Sequence, residues 1–146
     1  MLTIAARDVL EGRVDIGDEP YCIYVVRERE TVFYVGRSWD PQQRLREHFG
    51  LSWRSSGGTI SSLYEQYPEE ALGWQIDLYT LEECEPQVVV YLHRRLEVYQ
   101  NPAHYEKSMR DAEVAMILHL RPCLNVSNNP SPSRLPDQYL YLPRIG

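Results

Sequence analysis

Two short apolar runs rich in β-branched and aromatic residues follow each other early in the chain. The runs are YCIYVVRE at residues 21–28 and TVFYVGRS at residues 31–38, and only a short charged segment separates them. Runs of this composition are typical of strands, and the short connection predicts an antiparallel hairpin. Gly36, near the end of the second run, predicts either a close approach of a backbone segment or a β-bulge.

A helix is predicted directly after the hairpin. It is expected to begin at the Asp-Pro pair of residues 40–41, because aspartate is a good N-cap and proline suits the first helical position. Leu45 and Phe49 are four residues apart and predict a buried stripe. Arg44 and His48 have the same spacing, so we expect both side chains beside that stripe, at the edge of the core.

The rest of the chain alternates between weaker signals. Residues 60–67 favour a short helix, residues 74–81 a third strand, and residues 108–120 a last helix. Residues 86–100 favour a helix that starts at Pro86, although the valine run there makes a strand the alternative. The proline-punctuated tail is predicted to be extended.

Composition indicates an ordinary globular protein. With 146 residues, 43% of them hydrophobic and 25% charged, the chain is expected to form a single domain over residues 1–146. No apolar run approaches the roughly 20 residues of a membrane span, so we expect no transmembrane helix, no secretory signal and a cytoplasmic location. Three widely spaced cysteines, without a CxxC pair, predict buried thiols rather than disulfides or a zinc site.

The charge pattern is mixed. A net charge of -6 disfavours an extended nucleic-acid-binding surface, which usually has a basic excess. Residues 65–85 contain seven acidic side chains and no basic one. The basic side chains between residues 34 and 54 form a small local excess over two acidic ones: Arg37, Arg44, Arg46 and Arg54.

Glu113 stands out in the last predicted helix. Its neighbours three, four and seven residues on are Met116, Ile117 and Leu120, so the carboxylate points along an apolar face. A buried charge costs several kcal/mol, roughly, unless a cation or hydrogen-bond donors meet it. Two interpretations remain open, a structural ion pair with Arg110 or another arginine, and a metal-binding or catalytic role.

Several of these features together resemble the GIY-YIG nuclease family. The resemblance rests on CIY, on YVG ten residues later, on RSWDPQQRLREHF, and on a distant helix that carries Glu113 and is followed by RPCLN. It extends over about residues 20–127, and residues 128–146 form a proline-rich C-terminal extension. Cys22 stands where the family usually has its first glycine. The resemblance implies an α+β fold, with a small three-stranded antiparallel sheet flanked by helices.

The resemblance also implies a function, that of a metal-dependent DNA endonuclease that hydrolyses phosphodiester bonds. In this chain Glu113 would hold Mg²⁺ or Mn²⁺, Tyr24 would accept a proton from water, and Arg44 would neutralise the phosphoryl oxygens. Tyr34 would position water or phosphate, and His48 could relay protons. The further expected DNA contacts are Arg37, Arg46, Arg54 and Asn125, the last of which could also order the region of Glu113.

Two other classes of function remain open. One is a catalytically inactive binding or scaffold module of the same fold, and the other is an unrelated α+β protein that binds a small acidic ligand at its arginines. If DNA is the partner, one domain with a small basic patch is insufficient for tight specific binding. We therefore expect a homodimer or a partner protein to supply specificity.

Overall fold

The computed structural model describes residues 1–50, 59–96 and 102–140. Within these ranges the chain forms four strands and five α-helices, which confirms the α+β class. The strands are β1 (Leu2–Ala5), β2 (Ile23–Glu28), β3 (Thr31–Arg37) and β4 (Gln75–Tyr79). The α-helices are α1 (Ala6–Leu10), α2 (Pro41–His48), α3 (Thr59–Gln66), α4 (Leu81–Leu92) and α5 (Pro102–Leu120). Short 3₁₀ helices occupy Glu70–Gly73 and Asp137–Tyr139.

The predicted hairpin is confirmed. Strands β2 and β3 pair antiparallel, with Tyr24 opposite Gly36 and Val26 opposite Tyr34. The two tyrosines therefore lie on the same face of the sheet, because residues directly opposite one another and residues two apart share a face. The irregularity in this ladder lies after Val26 and not at Gly36.

The prediction of three strands was wrong, because the sheet has a fourth strand, β1. All pairings are antiparallel, in the order β1-β4-β2-β3. Leu2 lies opposite Leu78 and Ile4 opposite Ile76. A four-residue strand has too short a pattern to be recognised from the sequence. Residues 2–5 form a strand because they pair with β4. Thr3 adds a hydrogen bond across this pairing, from its hydroxyl to Oδ1 of Asp77, at 2.7 Å.

The sheet is covered on both faces. Helices α1, α2 and α3 pack on one face around side chains such as Tyr24, Phe33 and Trp74. Helices α4 and α5 pack on the other face, over Ile23 and Val25. The described chain thus has three layers, and helices α2 and α5, which carry candidate site residues, lie on opposite sides of the hairpin.

The helix boundaries agree with the sequence only in part. Asp40 caps α2 as predicted, because its Oδ1 accepts from the backbone N–H of Gln43 at 3.1 Å. Helix α4 begins at Leu81 and not at Pro86, since Thr80 and Glu83 form a capping box that starts the helix five residues earlier. Helix α5 likewise begins six residues before its predicted start. The prediction that α4 continues to residue 100 was wrong, because the helix ends at Leu92 and His93 adopts a left-handed conformation; residues 97–100 lie outside the described residues.

The segment after α5 returns to the sheet. The backbone N–H groups of Cys123 and Leu124 donate to the carbonyls of Val32 and Phe33, so this segment covers the outer edge of β3. Further on, Tyr139 is buried, and its hydroxyl accepts from Nε1 of Trp74 at 3.1 Å. No helix of the described ranges is long and apolar enough to span a bilayer.

Candidate active site

An open cavity of about 450 Å³ lies where the hairpin, α2 and α5 meet. Five candidate residues from β2, β3, α2 and α5 line it: Tyr24, Tyr34, Arg37, Arg44 and Glu113. The wall is completed by Ser38, Trp39, Asp40, Glu106 and Met109. The fold therefore brings together side chains that are as much as 89 positions apart in the sequence, from Tyr24 to Glu113.

Tyr24 has a fixed position because it lies against a glycine. Its ring packs on the backbone of Gly36, its partner in the neighbouring strand. A Cβ atom at residue 36 would lie 2.7 Å from Cε2 of Tyr24 and closer still to Cζ and the hydroxyl oxygen. The group that approaches Gly36 is the Tyr24 side chain and not, as predicted, a backbone segment. Only glycine at this position leaves room for the phenol.

His48 lies behind Tyr24 and is buried, with only 2% of its surface exposed. The Tyr24 hydroxyl lies 2.8 Å from Nε2 of His48. The expectation that His48 stays at the edge of the core was wrong. Helix α2 closes over both tyrosine rings, and the imidazole lies 5.6 Å from the Tyr24 ring and 5.4 Å from the Tyr34 ring, centroid to centroid.

Burial controls the protonation of the His48 imidazole. It lowers the pKa of His48 to about 4, and the nearby Arg44 guanidinium acts in the same direction. The imidazole is therefore neutral at neutral pH. Its Nδ1 has no hydrogen-bond partner among the described residues, which leaves a buried polar atom without compensation.

The two tyrosines are neutral phenols in the resting protein. Burial raises the pKa of Tyr24, and the adjacent Tyr34 adds to this effect, whereas Arg44 opposes it by charge and by a hydrogen bond. The pKa of Tyr34 is also raised, mainly by burial and then by the carboxylate of Glu113. A free phenolate at Tyr24 is consequently disfavoured in this environment.

Arg44 stands at the wall of the cavity beside Tyr24. Its Nη1 donates to Oε2 of Glu47, one turn further along α2, at 2.8 Å. This ion pair lowers the pKa of the Glu47 carboxyl. Because a guanidinium has five N–H donors in a fixed plane, one arginine can bind several acceptors at once.

Glu113 is held by an ion pair, and its partner is Arg37. Nη1 of Arg37 donates to Oε1 of Glu113 at 2.7 Å, and Nε of Arg37 lies 3.7 Å from Oε1 of Glu106. The Glu113 side chain is only 17% exposed. Burial raises the pKa of Glu113, and Arg37 counteracts this rise without cancelling it. Arg37, predicted to contact DNA, thus links β3 to α5.

The carboxylates of this cavity suit a hydrated divalent ion better than a fully protein-ligated one. No cluster of three or more metal-ligating His, Cys, Asp or Glu side chains occurs in the part of the chain that the structure describes. Glu106 and Glu113, two turns apart on α5, both face Arg37. Mg²⁺ commonly uses one or two carboxylates and keeps several waters, so this donor set fits it, provided that Arg37 leaves Oε1 of Glu113.

The predicted site residues Arg46 and Asn125 do not line this cavity, although Asn125 borders a neighbouring cavity of about 250 Å³ together with Tyr34 and Glu113. Arg46 borders a separate small crevice beside Val14. The side-chain amide of Asn125 binds the backbone of β3. Its Oδ1 accepts from the N–H of Val35 at 2.9 Å, and its Nδ2 donates to the carbonyl of Val35 at 2.8 Å. Arg54 lies outside the described residues. A DNA contact by any of these three stays a prediction.

Two lining residues were missed in the sequence, Trp39 and Glu106. Trp39 directly precedes the N-cap of α2, and a residue so close to the predicted site was a usable signal. Glu106 precedes Glu113 by seven residues, a spacing that places two side chains on the same helix face. That signal was hidden because the helix was expected to start only at residue 108.

Comparisons with known proteins return no match for this chain, whether with protein-family models, with curated proteins or with solved structures. The cavity is lined by two neutral phenols, two arginines and three carboxylates, one of which, Asp40, caps α2. A buried neutral imidazole, that of His48, lies behind Tyr24. Such a set offers groups for anion binding, proton transfer and cation binding within one cavity.

Proposed function

We propose that this protein is a metal-dependent DNA endonuclease of the GIY-YIG type, which hydrolyses phosphodiester bonds. The observation that supports this most is the contact between the Tyr24 hydroxyl and Nε2 of His48, on the wall of a cavity that also contains Arg44 and Glu113. Phosphodiester hydrolysis needs a proton acceptor for water, cationic donors for the phosphoryl oxygens and help for the leaving oxygen. This cavity has a candidate for each.

Substrate binding is assigned to the cationic side of the cavity. The guanidinium of Arg44 can donate two parallel hydrogen bonds to a phosphodiester, the geometry in which arginine binds phosphate best. Its ion pair with Glu47 orients it before the substrate arrives. The Tyr34 hydroxyl, on the same face of the hairpin, is placed to orient the phosphate or the attacking water.

Proton transfer is assigned to Tyr24 and His48 together. Burial disfavours both a free phenolate and a lasting imidazolium, so the two groups act jointly. Tyr24 accepts a proton from water while it passes its own proton to Nε2 of His48, and the imidazolium exists only while the phosphodiester bond breaks. The tautomer that this step needs carries its proton on Nδ1. The imidazolium returns the proton by the same route after the phosphodiester bond has broken. Positioned general bases of this kind contribute about 10²- to 10⁴-fold to a rate.

The metal is assigned to Glu113, with Glu106 as a second carboxylate. Bound there, Mg²⁺ or Mn²⁺ would supply charge stabilisation to the phosphoryl and leaving oxygens. The side chain that has to move is Arg37, which now donates to Oε1 of Glu113. Once displaced it remains in the cavity, where it can contact the phosphate.

The experiment that tests this proposal is nicking of supercoiled plasmid DNA by the purified full chain, with Mg²⁺, with Mn²⁺ and with EDTA. Conversion to the open-circular form in either metal but not in EDTA is expected. Absence of nicking in both metals, or equal nicking in EDTA, would overturn the proposal.

A second candidate function is a catalytically inactive binding or scaffold module with the same fold. The observation that favours it is the ion pair between Arg37 and Glu113, because a structural pair would occupy the carboxylate permanently. The net charge of -6 also agrees with a role other than tight DNA binding. A variant of Glu113, described in the Discussion, separates these two functions.

A further inference from the structure

An exposed aromatic pair forms one rim of the candidate active site. Trp39 is 61% exposed, although tryptophan is on average among the more buried residue types. Its ring stacks on Tyr105 of α5, with centroids 4.2 Å apart and an angle of 25° between the planes. One face of the indole is thus covered by Tyr105, and the opposite face is the accessible one.

This rim is held in place before any ligand binds. The N–H of Ser38 donates to the carbonyl of Cys22 at 2.9 Å, and the N–H of Asp40 donates to Oγ of Ser38 at 3.0 Å. The indole itself is anchored, because its Nε1 donates to Oε2 of Glu106 at 3.0 Å. Hydrogen bonds thus fix the backbone on both sides of Trp39 as well as the edge of its ring.

The position of the rim suggests its ligand. Trp39 lines the same cavity as Arg37 and Arg44, the two arginines that could contact a phosphate. In a nucleic acid every phosphate is followed by a base, so a base next to a phosphate in this cavity lies within reach of the rim. A flat aromatic face stacks on any base, and alanine substitution of such a residue typically removes about 1–3 kcal/mol per base.

We infer that Trp39, supported by Tyr105, is a stacking platform for an unpaired nucleobase next to the phosphate in the cavity. A base inside an uninterrupted duplex has both faces covered by its neighbours, so it cannot stack on the indole. The DNA that fits this site is therefore single-stranded, frayed or branched at the bound phosphate, as at the stretches that negative supercoiling opens in plasmid DNA. The inference rests on the proposed function, because it takes a DNA phosphate as the ligand of the cavity.

The test compares two fluorescent oligonucleotides of equal length, a thymidine oligomer and one with abasic sites throughout. Both have the same phosphates, and only the first has bases. Binding is measured by fluorescence anisotropy in EDTA at low salt, so that no cleavage occurs. The wild-type protein is expected to bind the thymidine oligomer roughly 5- to 160-fold more tightly than the abasic one.

The variants assign this preference to Trp39. Trp39→Ala is expected to reduce the ratio of the two affinities to about one, with binding of the abasic oligomer unchanged, whereas Trp39→Phe retains part of the ratio. Leu72→Ala removes another exposed apolar side chain, one that does not line the cavity, and should leave the ratio unchanged. Thermal unfolding verifies that each variant is folded.

Three results would overturn the inference: a ratio near one in the wild-type protein, a ratio that Trp39→Ala leaves unchanged, or no binding of either oligomer. Failure of the proposed function is recognised separately. A base-dependent affinity without plasmid nicking would contradict the endonuclease and leave the stacking platform intact. Plasmid nicking together with equal affinity for the two oligomers would support the endonuclease and contradict the stacking platform.

Discussion

The hydroxyl of Tyr24 lies 2.8 Å from Nε2 of His48, and both side chains are almost completely buried. The contact joins strand β2 to the end of helix α2, so the geometry of the proposed proton transfer is set by the fold. Gly36 supports it from the other side, since the phenol lies directly on its backbone. A change in any of these three residues should therefore affect the site and the stability of the domain together.

The first prediction concerns Gly36. Gly36→Ala adds a methyl group where the Tyr24 ring now lies, so the ring must move from His48. We expect a loss of about 1–3 kcal/mol in the free energy of unfolding, as for other overpacked sites, measured by urea denaturation. Plasmid nicking should fall strongly as well. Gly73→Ala is the matched control, because a Cβ there meets nothing within 4 Å; equal stability of the two variants would contradict the proposed packing.

The second prediction concerns the pH dependence of stability. The pKa of His48 is about 4 in the folded protein and near 6.5 when the chain is unfolded, so the unfolded chain binds the proton more tightly. The contribution of His48 to the free energy of unfolding is fully present above about pH 6.5. It is lost as the pH falls from 6.5 towards 4, by about 3 kcal/mol.

His48→Gln removes the titrating imidazole and serves as the comparison. Urea unfolding of both proteins between pH 7 and pH 4.5 should show a smaller loss of stability for the variant. The carboxyl groups of the protein also titrate in this range, but they do so in both proteins. Parallel curves for wild type and variant would contradict a buried, neutral His48.

The third prediction concerns Arg44. Arg44→Lys retains the positive charge but replaces the planar fork of donors with a single ammonium, so it should not reproduce a two-point phosphate contact. We expect nicking to fall about 100-fold or more, the size typical for the loss of one transition-state donor. Arg134→Lys is the control and should cleave normally, because Arg134 pairs with Asp137 and does not line the cavity. A wild-type rate for Arg44→Lys would show that charge alone is needed.

The fourth prediction concerns Glu113 and distinguishes a metal ligand from a structural ion pair. Because the pKa of Glu113 is raised despite Arg37, the fold disfavours the charged form, and a neutral glutamine should be tolerated. We expect Glu113→Gln to stay within about 1 kcal/mol of the wild type without metal. Mg²⁺ should raise the melting temperature of the wild type and not that of the variant.

A structural pair would behave differently. Loss of one partner of a buried pair costs about 3–5 kcal/mol, because it leaves the other charge unpaired. Thermal unfolding of both proteins with and without Mg²⁺ gives the answer. A large drop in melting temperature for Glu113→Gln in EDTA, with no effect of Mg²⁺ on the wild type, would favour the inactive scaffold module.

The hairpin and helix α2 could be predicted because their signals are local. Apolar and aromatic residues define the two strands, and Asp40 with the following proline defines the start of the helix. The same reasoning missed strand β1, which depends on pairing with β4, 70 to 76 residues away. Helix α4 was misplaced because Pro86 was interpreted as its first residue, whereas Thr80 caps the helix.

The candidate site could be predicted as a set of residues but not as an arrangement. A spacing of four residues relates Arg44 to His48, yet one faces the cavity and the other is buried behind Tyr24. Spacing fixes the relative direction of two side chains on a helix, and the depth of each depends on what the helix packs against. For the same reason the sequence could not show which arginine pairs with Glu113, since Arg37 is 76 positions away.

The most direct test of the account is the rate of plasmid nicking by Tyr24→Phe in Mg²⁺, measured beside the wild type. The variant retains the ring on Gly36 and loses only the hydroxyl that contacts His48. Tyr64→Phe is the control, because that ring packs on Phe49 outside the cavity. We expect metal-dependent nicking by the wild type and the control, and a rate about 10²- to 10⁴-fold lower for Tyr24→Phe. Nicking by Tyr24→Phe at the wild-type rate would contradict the proposed mechanism.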